Sequence, residues 1–566
     1  MNKKPIYILG TGLSHNGSAV LLKDGQICVA IEKERITRIK HDGGNDTEAI
    51  QYCLEAEGIQ LSDVALVVQC ENFEIPSRDT FRGERIFKGN KEPKLISISH
   101  HLAHAYSAVG TSPFTTSNVM VIDGCGSPLE QYLLLHQNQK ESIVSDVFNS
   151  IQMQCEKDSF YHFDGQDMIP LFKDFSEMSN LSQSEIALPT TKHSIGGFYA
   201  AISNYVFGNM DDVGKLMGLA PYGKSGVYNY EVFEFINDRL FVKEDWKTFL
   251  NQPSQGYTFF KEHFAYYANV AKWAQEQVEK AVLQCIKVRT KRFPHTHLCY
   301  SGGVALNAVA NAKLEDSNVA KSIYFEPAAS DNGLALGCAF YGWLSYLKQP
   351  KKEANGNTCF GKHYTKETIL QAYEEYKPEL KMIDFFEESE LLHYSAEALL
   401  HGKTIGWFQS GSEFGPRALG RRSILAHPGM ENMKNHINAT IKFREDFRPF
   451  APAVLQEKGH EYFEVGRSSP YMILVDKTKE EHLENLKNVT HKDGSARVQT
   501  VEASWNPKFY NLIQTFYELS GIAVLLNTSF NKKGMPIVET PKEAFDLFRE
   551  TALDVLVIEN FVFLKH

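Results

Sequence analysis

Two histidines of the sequence have the spacing of metal ligands. His100 and His104 stand four residues apart in a segment of helix-forming residues, and residues i and i+4 share one face of an α-helix. Both imidazoles can therefore reach one ion, whereas His101 is turned about 100° away. Core histidines that bond to neighbouring groups give the same pattern, so the spacing alone leaves both interpretations open.

Aspartates at two predicted loop ends could complete such a site. Asp123 follows the apolar residues Val121-Ile122, and Asp331 precedes Asn332-Gly333. Aspartate before glycine or asparagine is more commonly a turn or capping residue. If both carboxylates meet the histidines, two nitrogens and two oxygens favour iron(II), manganese or zinc over calcium. The set contains no thiolate, which argues against a structural zinc site.

A glycine pair could bind phosphate. Gly302 and Gly303 lie between a predicted strand over 298–301 and a predicted helix, where free backbone N–H groups can bind phosphate oxygens. A second glycine-containing run, 218–223, has Lys215 nearby. Neither run has the spacing of a P-loop or of a dinucleotide-binding turn, and glycine turns without a ligand are more frequent.

Cations are concentrated in the last third of an otherwise acidic chain. They are interleaved with Gly, Pro and aromatic residues in the segments 411–423, 442–452 and 496–499, unlike a solvated helix face on which charges of both signs alternate. Guanidinium groups bind phosphate or carboxylate through two hydrogen bonds. Short hydroxyl and amide side chains over 527–531 could take the remaining phosphate oxygens. The pattern favours an anion pocket over arginines in surface salt bridges.

The composition is that of an ordinary globular protein. The 566 residues, 43% hydrophobic and 23% charged, are too many for one core, which predicts two or three domains. The 59 Lys and Arg against 69 Asp and Glu give a net charge of -10, which argues against a nucleic-acid partner. Nine cysteines without a Cys-x-x-Cys pair predict reduced thiols and a cytoplasmic location. We expect neither a secretion signal nor a membrane span.

Strand and helix patterns of the first half indicate an internally duplicated α/β domain. A strand over 6–10 leads into a hairpin that turns at Asp24-Gly25, a helix over 45–57 and a strand over 64–68. A strand over 119–123 and a hairpin that opens at 131–136 repeat this order.

A composition shift predicts the boundary of a second α/β domain. Residues 349–357 are rich in Pro, Lys, Gly and Asn, as exposed linkers are. Strands predicted over 404–408, 522–526 and 555–558 follow it. We place the domains at 1–348 and 371–566, with a linker at 349–370 and an insertion at about 125–190.

With these motifs in this order, the chain resembles the O-carbamoyltransferases of the nodulation and antibiotic type over nearly its whole length. The resemblance rests on the following motifs: His15 with Ser18-Ala19, Glu34-Arg35 with Lys40-His41, His100 with His104, Val121 to Gly124, Met217 to Gly223, Ser301 to Asn307, Asp331-Asn332, Phe414 to Ser423, Lys442 to Pro452, and Leu526 to Asn531. It implies an actin-like first domain, the duplicated fold of tRNA threonylcarbamoyl transferases. It implies for the second domain the fold of threonylcarbamoyl-adenylate synthases (YrdC-like).

The resemblance also assigns roles to residues. His100, His104, Asp123 and Asp331 match the family's iron(II) ligands, for which manganese and zinc remain alternatives. The motif residues Gly302, Gly303 and Asn307 are the predicted nucleotide-binding set. The residues that match the carbamoyl-phosphate pocket are Arg417, Lys442, Arg448, Arg497 and Ser529. The predicted catalytic residues are the four cations of that pocket and His15, which matches a residue near the acceptor hydroxyl.

Two departures from the family pattern leave questions open. Many members have His-Asp where this chain has His15-Asn16, so an aspartate partner for the histidine cannot be assumed at that position. The usual Glu-Gly-Lys is replaced by Val213-Gly214-Lys215, which puts the role of that loop in doubt.

The implied activity is an ATP-dependent O-carbamoyl transfer. Carbamoyl phosphate and ATP with Mg²⁺ would form carbamoyl-adenylate, whose carbamoyl group passes to a hydroxyl of a small-molecule natural product. Alternatives are threonylcarbamoyl transfer to tRNA and an actin-like ATPase or sugar kinase; the first would use threonine and bicarbonate, the second would release ADP. The acceptor is not identified by the sequence, and a homo-oligomer is compatible with it.

Overall fold

A computed structural model describes residues 4–44, 46–71, 93–136, 142–144, 147–148, 153–177, 194–243 and 245–566. The chain forms two compact units. The first consists of Met1–Lys33 and Gly43–Ala354, and the second of Glu34–Asp42 and Asn355–His566. A short segment from the N-terminal part of the sequence thus packs as part of the second unit.

The first unit is built on two sheets with the same topology. Its strands are β1 (Tyr7–Leu13), β2 (Ser18–Lys23), β3 (Gln26–Glu32), β4 (Val64–Glu71), β5 (Lys94–Ser97), β6 (Ser117–Ile122), β7 (Gln154–Phe163), β8 (Met168–Glu177), β9 (Phe233–Ile236), β10 (Arg239–Val242), β11 (His297–Ser301) and β12 (Ser322–Phe325). The sheet orders are β3-β2-β1-β4-β5 and β8-β7-β6-β11-β12. In each sheet the strand that comes first in the chain, β1 or β6, lies at the centre. It pairs antiparallel with the next strand, β2 or β7, and parallel with the fourth strand of its sheet, β4 or β11. The duplicated, actin-like α/β fold predicted from the sequence is confirmed.

Helices connect and cover these sheets. Up to residue 354 they are α1 (Lys33–Thr37), α2 (Thr47–Glu57), α3 (His100–Thr111), α4 (Leu129–Leu135), α5 (Ile195–Phe207), α6 (Val213–Leu219), α7 (Tyr257–Glu262), α8 (Phe264–Arg292), α9 (Ala308–Asp316) and α10 (Leu334–Tyr341). Across the described residues, no helix has both the length and the apolar character that a bilayer span requires.

Helices α3 and α10 pack so closely that glycine is required between them. A Cβ at Gly337 would lie 1.7 Å from the carbonyl oxygen of Ala103, and one at Gly110 would lie 2.1 Å from the Phe340 ring. On its other side α10 packs on β1, where a Cβ at Gly10 would lie 2.1 Å from the Ala335 carbonyl oxygen. Interiors packed at this density leave little freedom to shift, so the start of α10 is fixed relative to α3.

One predicted hairpin is wrong, and with it the predicted insertion. Residues 131–136 belong to helix α4 and the turn after it, because Leu129, Tyr132 and Leu133 recur at helical i, i+3, i+4 spacing and pack into one apolar cluster. The hairpin of the second sheet is β7–β8, which lies inside the stretch 125–190 that the sequence assigned to an insertion.

Buried charges explain why those strands escaped detection. Glu156, Lys157 and Asp158 of β7 and Lys173 of β8 are all buried. Lys173 pairs with Glu156, and Lys157 lies 2.9 Å from Asp174. Strands that bury ion pairs lack the apolar alternation from which strands are predicted.

The second unit is an α/β domain around one eight-stranded sheet of order β13-β22-β21-β14-β15-β20-β16-β19. The strands are β13 (Leu380–Asp384), β14 (Ile405–Phe408), β15 (Arg422–Ala426), β16 (Ala451–Leu455), β17 (Val475–Lys477), β18 (Ser495–Arg497), β19 (Gln499–Val501), β20 (Val524–Ser529), β21 (Val555–Ile558) and β22 (Phe561–Lys565). The helices are α11 (Lys366–Tyr373), α12 (Glu388–Leu400), α13 (Met433–Ile437), α14 (Gly459–Tyr462), α15 (Pro507–Ser520) and α16 (Pro541–Glu550). Of the predicted linker, residues 349–354 belong to the first unit and 355–370 to the second, and α11 begins within it.

The buried carboxyl of Glu326 makes the stability of the first unit depend on pH. Its oxygens accept hydrogen bonds from the Thr111 hydroxyl, at the end of α3, and from the Ala328 amide at 3.1 Å. Burial outweighs these bonds and raises the pKa of Glu326 to about 7 from an ordinary 4.5. The folded state therefore holds a proton that the unfolded chain has already lost, and this contribution to stability disappears as pH rises from about 4.5 to 7.

We expect Glu326→Gln, which cannot ionise, to remove this dependence. Relative to the variant, the parent should lose up to about 3 kcal/mol of unfolding free energy between about pH 4.5 and 7.5. Urea unfolding of both proteins across this range measures the difference. A difference that does not change with pH would contradict the assignment.

Candidate functional site

Four side chains from three separate parts of the sequence meet in the first unit. We call His100, His104, Asp123 and Asp331 the His/Asp cluster; one ligand atom from each lies within 4.8 Å of all the others. His100 Nε2 lies 3.0 Å from Asp123 Oδ2, 3.5 Å from Asp331 Oδ1 and 3.1 Å from His104 Nε2. His104 Nε2 lies 3.8 Å from both carboxylates. The four groups therefore face one common point.

Backbone hydrogen bonds fix the element that carries both histidines. His100 is the first residue of α3, and its N–H donates to Ser127 Oγ at 3.0 Å. The next N–H, of His101, donates to Glu156 Oε2 at 3.1 Å. A carboxylate at a helix N-terminus satisfies amides that have no partner within the helix and complements the helix dipole. Glu156, which the sequence did not single out, thus supports the helix that carries both histidines.

The two aspartates are held by the ends of other elements. Asp123 directly follows β6, and its Oδ1 accepts the Gly303 N–H at 3.1 Å. Asp331 opens a 3₁₀ turn that leads into α10, and its Oδ2 accepts the Ser14 hydroxyl at 2.6 Å. Each carboxylate keeps its other oxygen directed at the histidines. One oxygen of each aspartate therefore serves positioning, and the other is available as a ligand.

The electrostatics of the His/Asp cluster suit a divalent cation. Burial, together with the nearby charge of His100, lowers the pKa of His104 to about 4. For His100, the Asp331 and Asp123 carboxylates outweigh burial and raise the pKa well above its usual value. The histidines in turn hold the pKa of Asp123 and Asp331 low against the effect of burial. Two ionised carboxylates beside two imidazole nitrogens form a donor set that fits iron(II), manganese or zinc.

His101 lies outside the cluster, on the side of α3 that the helical geometry predicted. Its Nδ1 lies 2.7 Å from Ser159 Oγ. Burial lowers the pKa of His101 to about 3, so the ring is neutral at pH 7 and its position is structural.

His15 approaches the cluster through its backbone and has a carboxylate partner that the sequence did not reveal. The His15 N–H donates to Asp331 Oδ2 at 3.3 Å, while Nε2 lies 3.1 Å from Asp211 Oδ1. This bond outweighs burial and raises the pKa of His15. Asp211 therefore supplies the carboxylate that Asn16 cannot. It lies in the turn Met210–Asp212, which leads into α6.

The predicted nucleotide-binding residues have partners within the protein. Gly302 has a φ of 92°, and a Cβ there would lie 2.3 Å from the Ile122 carbonyl oxygen. The Gly303 N–H is bonded to Asp123. The Asn307 side chain caps α9 and exchanges hydrogen bonds with Gln275 at 3.0 and 3.1 Å. These residues support Asp123 and the start of α9, and their contact with a nucleotide stays a prediction.

The second unit brings the predicted cations together around one lysine. Lys442 is buried, and its Nζ donates to Ser529 O at 2.7 Å, to Ser529 Oγ at 3.2 Å and to Asn531 Oδ1 at 2.5 Å. Burial and the charges of Arg444 and Arg448 lower the pKa of Lys442 well below its usual value. Lys442, Ser529 and Asn531 thus form one hydrogen-bonded group beside two arginines.

The neighbouring guanidinium groups affect one another in the same way. Burial, followed by Arg448, lowers the pKa of Arg417 to about 10. Burial lowers the pKa of Arg497 as well, and Arg417, Arg444 and Arg448 add to the effect. Within the described part of the chain, neither Arg417 nor Arg497 has a carboxylate in salt-bridge distance. We call Arg417, Lys442, Arg444, Arg448 and Arg497 the cation cluster.

Arg444 belongs to this cluster although the sequence analysis did not select it. Its Nε donates to Asn438 Oδ1 at 2.8 Å, and its guanidinium lies 4.5 Å from the centre of the Phe450 ring. Like charges gathered in a partly buried place repel one another unless an anion joins them. This geometry favours an anion pocket over surface salt bridges.

Comparison with known proteins gives matches along most of the chain. The family profile described as Carbamoyltransferase N-terminus matches residues 7–79 and 74–340, and the profile described as Carbamoyltransferase C-terminus matches 396–565. Nodulation protein NolNO of Sinorhizobium fredii is 32% identical, over 97% of this chain and 79% of that protein. The 3'-hydroxymethylcephem-O-carbamoyltransferase of Streptomyces clavuligerus is 25% identical, over 92% of each. Among solved structures, T. kodakarensis HypF has 16% identity and a TM-score of 0.40, over 62% of this chain and 49% of that chain.

The geometry of the His/Asp cluster predicts a measurable affinity for divalent ions. His104→Ala and Asp331→Asn each remove one donor and should weaken Mn²⁺ or Fe²⁺ binding by at least about tenfold to a hundredfold. Anaerobic calorimetric titration of the metal-depleted protein measures this. His162→Ala removes a histidine of the same unit that bonds to Asn118 instead, and it should bind as the parent does. Equal affinity in all four proteins would show that the cluster is not a metal site.

Proposed function

The chain belongs to the carbamoyltransferase family, and from this premise we propose that it is an ATP-dependent O-carbamoyltransferase acting on a hydroxylated small molecule. The observation that carries the proposal is the cation cluster, in which four arginines lie near Lys442 and, among the described residues, Arg417 and Arg497 have no carboxylate in salt-bridge distance. Such a pocket is suited to a phosphorylated donor. Nine free cysteines are typical of a protein of the reducing cytoplasm.

The cation cluster binds carbamoyl phosphate and activates it. Arg417, Arg448 and Arg497 bind phosphate oxygens of the donor. Lys442 and Ser529 bind the same donor at the end of β20. Water cleaves the donor to carbamate and phosphate, and a carbamate oxygen attacks the α-phosphorus of ATP, held with Mg²⁺. The bond between the α-phosphorus and the bridging oxygen breaks, giving carbamoyl-adenylate and pyrophosphate. Fixed cations that meet developing phosphate charge lower the barrier because they need not reorganise.

The acceptor hydroxyl then attacks the carbamoyl carbon of the adenylate, and AMP leaves. His15 takes the hydroxyl proton, because the raised pKa of its imidazole makes the neutral ring a stronger proton acceptor. The Asp211 carboxylate, 3.1 Å from His15 Nε2, orients the ring and stabilises the imidazolium that results. A metal ion held by His100, His104, Asp123 and Asp331, iron(II) by preference, would supply Lewis acidity at this site.

Loss of one pocket cation should stop the first half of the reaction. We expect Arg448→Ala to lower the rate of pyrophosphate release, dependent on carbamoyl phosphate, by about 10²–10³-fold. Chromatographic separation of the labelled pyrophosphate that is released from γ-phosphate-labelled ATP in the presence of carbamoyl phosphate measures it. Arg549→Ala is the matched control, since Arg549 pairs with Asp546 on α16 away from the cluster. Release at the parent rate in Arg448→Ala would refute this site, and ADP in place of AMP and pyrophosphate would indicate an ATPase or kinase.

Loss of the proposed base should impair carbamoyl transfer and spare adenylate formation. In His15→Ala we expect pyrophosphate release within about threefold of the parent and transfer reduced by about 10²–10⁴-fold. Transfer is measured by mass spectrometry, as the gain of one carbamoyl group across a panel of hydroxylated metabolites. Asp211→Asn should lower transfer with the same selectivity but less severely. If both steps fall equally in His15→Ala, the residue serves folding and not catalysis.

A further inference from the structure

The segment Glu34–Asp42 packs as part of the second unit, although the chain on both sides of it belongs to the first. It contains the motif Glu34-Arg35 with Lys40-His41, to which neither the reaction nor the sites described above assign a role. Two internal bonds close the segment on itself. Glu34 Oε2 accepts the His41 N–H at 2.9 Å, and the Thr37 hydroxyl donates to Asp42 Oδ2 at 2.6 Å. The segment, which begins in α1 and continues as a loop, is therefore held in a defined shape by its own bonds.

Arg35 connects this loop to the backbone that carries Arg417. Its side chain is only 1% exposed, and Nη2 donates to the Gly415 carbonyl oxygen at 2.7 Å. Gly415 has a φ of 118° and lies two residues before Arg417. A buried guanidinium is costly unless it is hydrogen-bonded, and a charge-assisted bond to a carbonyl is stronger than a neutral one. The position of Arg35 thus holds the 411–421 loop in place.

Arg38 makes the equivalent connection to the loop that follows Asn531. Its Nη1 donates to the Ile537 carbonyl oxygen at 2.7 Å, and Nη2 donates to the Pro536 carbonyl oxygen at 2.9 Å. Nη1 also lies 3.2 Å from Glu543 Oε2. The Val538 N–H, next in the chain, donates to the Phe530 carbonyl oxygen at 3.0 Å. Arg38 therefore holds the end of the loop at Pro536 and Ile537. The start of the same loop places Ser529 and Asn531 beside Lys442.

We propose that Glu34–Asp42 is a clamp that positions two walls of the donor pocket, with Arg35 as the positioning residue for Arg417 and Arg38 for the Ser529–Asn531 wall. The proposal rests on the function proposed above for the cation cluster. Neither arginine contacts the donor. They act by holding backbone carbonyls, so that guanidinium and hydroxyl groups stand ready for phosphate before it arrives.

The test compares variants of Arg35 that have similar size and either keep or lose a hydrogen-bond donor. Arg35→Met keeps the length of the side chain but cannot donate a hydrogen bond, whereas Arg35→Lys keeps a charged hydrogen-bond donor. We expect Arg35→Met to raise the KM for carbamoyl phosphate at least about tenfold, with kcat for pyrophosphate release changed by less than about threefold. Arg35→Lys should recover part of the loss. Calorimetry with inorganic phosphate should show the same order of affinities, and Arg549→Ala should behave as the parent.

The outcomes separate this inference from the function on which it rests. If the parent binds carbamoyl phosphate and Arg35→Met has the same KM as the parent, the proposed clamp is wrong and the proposed donor site is unaffected. If the parent binds neither carbamoyl phosphate nor phosphate, the donor site fails and the clamp fails with it. If kcat and the thermal midpoint fall while KM stays constant, Arg35 is merely structural. Should Arg35→Met not fold, Arg38→Met decides by the same change in KM.

Discussion

The first unit depends on the contact of helices α3 and α10 without intervening side chains. At Gly337 the two backbones are so close that a single methyl group would overlap the Ala103 carbonyl. This proximity brings Asp331, just before α10, to His100 and His104 on α3. A larger residue at the crossing would move one ligand relative to the other three. The close packing of small residues is therefore a requirement of the site as much as of the fold.

Each candidate site leaves a net charge that its own residues do not balance. In the His/Asp cluster, two carboxylates share buried space with histidines, of which His104 is held neutral by burial. In the cation cluster, burial and then Arg448 lower the pKa of Arg417, and burial followed by Arg417, Arg444 and Arg448 lowers the pKa of Arg497. Repulsion of this kind destabilises the free protein and is relieved by a ligand of opposite charge. A cation at the first site and a phosphorylated anion at the second have that effect.

Buried polar groups also build the frame around these sites. Glu156 accepts two amides, those of His101 and Ser127, and pairs with Lys173, itself fully buried. Arg35 and Arg38 hold carbonyl groups of loops in the second unit. A satisfied buried network fixes geometry more strictly than apolar contact, because any displacement leaves a charged group without a partner. Rigid frames of this kind suit sites that must meet a ligand in a defined orientation.

The sequence by itself determined the duplicated α/β fold, the two aspartates at loop ends, the histidine pair and the grouping of cations. Each of these depends on local periodicity, spacing or composition. Tertiary structure decided the rest. Asp211, almost two hundred residues away in the chain, is the partner of His15 only because α6 and the turn before it place it there. The strands β7 and β8 were missed because ion pairs between them replace the apolar pattern. No local signal could assign Glu34–Asp42 to the second unit, since long-range pairing of charged and backbone groups leaves no periodicity in the sequence.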